Sequence, residues 1–90
     1  MESDQVIICR PIPEEIKEAK KWPIWSKEVS KFDWTYGEQE TCLILEGEVE
    51  VTNKYGKIFL FKEGDYVIFP EGMNCFWNVK RAVKKHYNFG

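Results

Sequence analysis

No apolar run in this chain approaches the roughly 20 residues that cross a bilayer, and Met1-Glu2-Ser3-Asp4-Gln5 has neither a cationic flank nor a long hydrophobic stretch. A membrane span and a secretory or organellar address are therefore not expected. Cysteine is scarce and odd in number: Cys9, Cys42 and Cys75 cannot all pair within one chain, which fits free thiols in a reducing compartment and a cytoplasmic location. The basic excess that gives nucleic-acid binders their phosphate affinity is missing too, since the formal net charge is -2. DNA and RNA are not expected partners. No glycine-rich phosphate loop is present, and Gly64-Asp65 alone does not make one. Histidine is reduced to His86.

What the chain does hold is apolar and aromatic. Its 90 residues are 43% hydrophobic and include six Phe, four Tyr and four Trp. Each aromatic can bury on the order of 150 to 250 Å², enough to make the core of one small domain spanning 1–90.

The local patterns are mostly those of strands. Val6 to Cys9 is a short β-prone run closed by Pro11 and Pro13. Residues 13–21 place a proline at a helix start, acids in the first turn and lysines in the last, which predicts one short helix ended by Pro23. Residues 1–21 thus read as an N-terminal strand and helix. Ile24 to Tyr36 reads as one long strand or two broken ones, and Glu40 to Leu45 as another. Beyond Gly47, Val49 and Val51 alternate with Glu48, Glu50 and Thr52, the mark of a half-buried strand. Asn53-Lys54-Tyr55-Gly56 predicts a hairpin turn into Lys57 to Lys62. Further strands are expected at Tyr66 to Phe69, Met73 to Val79 and Val83 to Phe89. Seven to nine short strands at regular spacing mean an all-β sandwich or barrel.

Two stretches resemble the paired motifs of the cupin superfamily. Gly64, Pro70, Gly72 and Cys75 have the spacing of the second motif, in which a metal-binding His usually stands at the place of Cys75. Glu40 and Gly47 match the end of the first motif, where the family Glu is a metal ligand. The two histidines that normally precede it are absent, and their places fall on Trp34 and Tyr36 or, with a one-residue gap, on Asp33 and Thr35. Trp22 to Trp34, Glu40-Thr41-Cys42 and Arg81 to Tyr87 are similar to short single-domain cupins of the ureidoglycine aminohydrolase or ethanolamine-utilisation type. The resemblance covers about residues 22–89. It implies a single-domain jelly-roll β-barrel, and a metal-assisted hydrolase of small nitrogen compounds such as ureides is the activity it carries.

Strand parity adds its own expectations. An inward Glu40 brings Cys42 and Ile44 inward and sends Leu43 and Leu45 outward, while an inward Cys75 brings Met73 and Trp77 with it. The expected cavity holds Glu40, Cys42, Cys75 and Trp77, with Trp34 and Tyr36 as companions. It suits a small polar metabolite held by stacking and a few hydrogen bonds. Glu40, Cys75 and His86 are the candidate catalytic groups, with Cys75 as nucleophile, His86 as its base and Glu40 orienting the imidazole or acting as a base itself. The same three, with Cys42, would be the ligands of a zinc ion if they converge. The rival reading is a non-catalytic interaction protein whose aromatics simply fill the barrel. The acids at 38–50 and the bases at Lys80, Arg81, Lys84 and Lys85 read as solvated strand faces or as pairing between subunits of a homodimer. Leu43 and Leu45 require a cover, from the N-terminal segment or from a second subunit.

Overall fold

The structure, a computed structural model, describes residues 4–90; the part of the N-terminal reading that falls on Met1 to Ser3 lies outside the described residues. The elements are β1 (Ile7–Cys9), α1 (Pro13–Ala19), β2 (Ile24–Lys27), β3 (Ser30–Thr35), β4 (Glu40–Asn53), β5 (Ile58–Lys62), β6 (Tyr66–Phe69) and β7 (Asn74–Phe89). All strand pairs are antiparallel. The chain is an all-β jelly roll with one short helix. Among the described residues no helix is long and apolar enough to cross a membrane.

The two longest strands organise everything else. Each of β4 and β7 merges two of the strands expected from sequence, because the chain bends between them without breaking the ladder. β4 pairs with β6 over Glu40 to Leu43 and with β5 over Glu48 to Thr52. β7 pairs with β3 over Asn74 to Val79 and with β2 over Val83 to His86. The β4–β7 ladder itself changes register between Ile44 and Val49. Gly47 sits within that irregular stretch at φ +104°, where a Cβ would lie 2.5 Å from the Ala82 carbonyl oxygen. Only glycine allows this backbone approach.

On one side of the bulge the interior is apolar: Val49, Val51, Phe61, Trp77 and Val79 are buried together. Outside, Glu48 meets Arg81 at 3.5 Å and Glu50 meets Lys80 at 3.8 Å. These acids and bases therefore pair within one chain across β4 and β7. As exposed pairs they contribute little to stability.

The helix begins at Pro13 with Glu14 and Glu15 in its first turn, and Glu15 Oε1 accepts a hydrogen bond from the Ile12 N–H at 3.0 Å. It packs against β4 and β7. The segment after it covers the outer face where Leu43 stands between Tyr66 and His86 in register. The Trp22 ring lies 6.5 Å from Tyr66, and the Trp22 carbonyl accepts from His86 Nδ1 at 2.8 Å. Leu43 is buried as a result, so the chain's own N-terminal region supplies the cover it required.

Candidate functional site

Beyond the bulge, β4 and β7 carry polar side chains inward. Alternation along β4 points Glu40 and Cys42 to the interior, and alternation along β7 does the same for Val83, Lys85 and Tyr87. Lys85 is opposite Ile44 in register, four positions from Glu40, so its stem has to run along the barrel interior to reach the carboxylate. Its Nζ donates to Glu40 Oε2 at 2.6 Å. Glu40 is 4% exposed and Lys85 5%. The Cys42 thiol donates to the same Oε2 at 2.9 Å. Oε1 has no hydrogen-bond partner among the described residues, and the ammonium, which has three protons, gives one to Glu40.

Aromatic rings surround the ammonium. Its distance to the ring centroid is 4.8 Å for Trp25, 5.0 Å for Trp77 and 5.9 Å for Phe69. Such contacts are attractive to a cation, the more so where water is excluded. Phe32 stacks on Trp77 at 5.7 Å and Trp25 meets it edge-on at 5.8 Å. Next to this cluster is a cavity of about 210 Å³ lined by Glu40, Lys85 and the rings of Trp25, Trp77 and Tyr36, with Trp34, Phe32, Tyr87 and Phe89 completing the wall. Its volume is below the roughly 300–1,000 Å³ of drug-sized pockets, which suits a small metabolite.

Of the residues expected from sequence, Glu40, Trp34, Tyr36 and Trp77 line this cavity. The alternation of β3 resolves the register left open above. Phe32 and Trp34 face Trp77 and Cys75 in the ladder, and Asp33 and Thr35 take the opposite face. Tyr36 is stacked on Phe69 at 4.6 Å; burial, reinforced by nearby Glu40, lifts its phenol well above the ordinary range. Cys42 supports Glu40 without lining the cavity. Burial holds its thiol protonated, with Lys85 opposing that effect in part.

Cys75 and His86 do not join this group. Cys75 contacts the Trp34 carbonyl at 3.6 Å and borders a separate depression with Asp33, Thr35 and Asn74. Burial pushes its thiol up to about 12, the reverse of an activated nucleophile. His86 stands one residue from Lys85 and so faces the outer side of the sheet, donating to Trp22. The expected pairing of Cys75 with His86 and the Glu40–Cys75–His86 ligand set are corrected accordingly: His86, adjacent to Lys85, points to the opposite face of the sheet, and Cys75 lies at the far end of β7, opposite Trp34 and Asn53. The reading of Lys85 as a solvated charge is corrected as well. Sequence reasoning missed Lys85, Trp25 and Tyr87, although the Val83, Lys85, Tyr87 alternation was a signal for them.

The metal implied by the resemblance can be tested against these side chains. The ammonium of Lys85 engages the carboxylate that would be a ligand, and among the described residues no three His, Cys, Asp or Glu side chains form a group able to hold a metal ion. The residues present do not fit one.

Comparison with known proteins places this chain in a family. The model of the EutQ-like cupin domain matches residues 14–87. A DUF861 family protein from Thermotoga maritima is similar at 53% identity, with 96% of this chain and 100% of that one covered and a TM-score of 0.92. The fold also matches a putative ethanolamine utilization protein Q from Salmonella typhimurium at 22% identity and a TM-score of 0.62, covering 91% of this chain and 66% of that one. The Clostridium difficile EutQ protein matches at 19% identity and a TM-score of 0.65, with 71% of this chain and 50% of that one covered. No curated protein matches the chain. With 74 of its 90 residues inside the family match, the chain belongs to the EutQ-like cupin domain family.

Proposed function

We propose that the barrel binds a small, neutral, planar metabolite bearing a carbonyl or carboxamide group, held by Lys85 and Glu40 between aromatic walls. The observation that carries this reading is the buried ion pair beside the cavity, with ammonium protons and Glu40 Oε1 left to bond a ligand. A ligand carbonyl accepts from Lys85 Nζ, and an amide N–H donates to Oε1. Because the pair is neutral as a unit, a charged ligand finds no net countercharge here, whereas a neutral one satisfies both groups. Planarity follows from the rings of Trp25, Trp77 and Tyr87, which favour stacked or edge-on partners. Amides and ureides, the nitrogen compounds implied by the sequence resemblance, meet these requirements. A cavity of about 210 Å³ also speaks for binding over a barrel filled by its own side chains.

The test is titration with benzamide, read by the indole N–H resonances of the four tryptophans. Saturable shifts of Trp25 and Trp77, with Trp22 unmoved on the outer face, are expected. The double substitution Glu40→Gln/Lys85→Met, which removes both charges together, should abolish them. Absence of a saturable shift at low-millimolar benzamide refutes the reading.

A further inference from the structure

Three groups in the cavity wall have complementary unused capacity. Glu40 has Oε2 occupied by Lys85 and Cys42, while Oε1 accepts nothing among the described residues. Lys85 retains ammonium protons beyond the one given to Glu40. Tyr36 lines the same cavity; its buried phenol oxygen lies by the Trp77 indole N–H, and its own O–H proton has no acceptor among the described residues. One acceptor and two donors therefore line a single cavity with otherwise aromatic walls. That is the layout needed to take a proton from carbon while an adjacent oxygen gains negative charge.

We infer that this cavity is an enolisation site for small planar ketones or aldehydes, in which Glu40 Oε1 removes the proton α to the carbonyl while Lys85 Nζ and Tyr36 Oη hold the carbonyl oxygen. The inference rests on the binding reading above and adds a reaction to it. In the step, the α C–H bond breaks and its proton passes to Glu40 Oε1. The electron pair of that bond forms the C=C of an enolate, and the carbonyl π pair moves to the oxygen. That oxygen accepts hydrogen bonds from the ammonium and the phenol. Return of the proton to carbon restores the ketone, and nothing is oxidised or reduced. The Cys42 thiol fixes Oε2, so the second carboxylate oxygen is the one left to act. Burial keeps Tyr36 in its protonated, donating form. Ligand entry expels water from an aromatic cavity, which strengthens each of these contacts.

Acetophenone is the probe, because it matches benzamide in shape and carries exchangeable methyl protons. In D2O the protein should deuterate that methyl group, with an acceleration over the Glu40→Gln/Lys85→Met protein of roughly 10²-fold or more, the usual range for a positioned acid or base. Glu40→Asp keeps the ion pair's charges and shortens the reach of the base, so it should reduce deuteration by a larger factor than it weakens acetophenone binding. Tyr36→Phe should lower the exchange rate by a larger factor than it weakens acetophenone binding, because its hydrogen bond strengthens as the carbonyl oxygen gains charge. Saturable tryptophan shifts with acetophenone but deuteration no faster than in protein-free buffer would overturn the proton transfer and leave the binding reading standing. Failure of both benzamide and acetophenone to shift any tryptophan overturns both.

Discussion

The two halves of the β4–β7 ladder are built from the same pair of strands and differ in what they bury. On the β3–β5 side of the Gly47 bulge, Val49, Val51, Trp77 and Val79 meet Phe61 in an apolar core. On the β2–β6 side, Glu40, Cys42 and Lys85 lie just as deep but form a polar chain along a cavity wall. The first half stabilises the fold by removing apolar surface from water and by close packing. The second half holds a pair whose desolvation is offset only while both partners remain, an arrangement that favours position over stability. The two halves meet at Trp77, which packs in the apolar core and also lines the cavity.

Breaking each half separately sharpens the contrast. Phe61→Ala and Lys85→Met should each destabilise the protein by about 3–5 kcal/mol in denaturant unfolding, the first through a cavity and the second through a stranded Glu40 charge. They separate on rescue. Adding Glu40→Gln should restore most of the stability of Lys85→Met and none of that of Phe61→Ala, a double-mutant comparison that reads the coupling directly.

Alkaline titration gives a smaller effect with a defined sign. Burial raises Cys75 from 9.0 to about 12 and also raises Cys42 and Tyr36. The unfolded chain then loses these protons first, so the stabilisation is complete below about pH 9 and declines as the pH climbs from there toward the folded-state values. Urea midpoints measured from pH 8 to 11 should fall steadily, and less steeply in Cys75→Ala. The smallest effect is expected on the outer face. His86→Ala removes one hydrogen bond to Trp22, about 1 kcal/mol, and should leave the benzamide response unchanged. A lost response would place His86 in the site after all.

Much of the framework was legible from residues alone. Pro13 with Glu14 and Glu15 marked the helix, Asn53 to Gly56 marked the hairpin, and parity from Glu40 placed Cys42 and Ile44 inward. These are local signals, set by backbone geometry within a few residues. The merged strands escaped notice because glycine and a short polar stretch look alike whether they end a strand or bend it at a bulge. Lys85 escaped because four bases in six positions read as a solvated face, although one residue in two of an alternating strand turns inward.

Composition, turn residues and alternation were thus sufficient for an all-β barrel with Glu40 in its wall, since each depends on chemistry close in sequence. The identity of Glu40's partner was settled elsewhere. It took the β4–β7 register, the lysine stem extended along the interior and the rings of Trp25 and Trp77 to bring an ammonium to the carboxylate. Residues 45 positions apart meet there because the folded barrel excludes water around both. That exclusion belongs to the assembled structure, and it is what separates Lys85 from Lys80 and Lys84, which stay in contact with water.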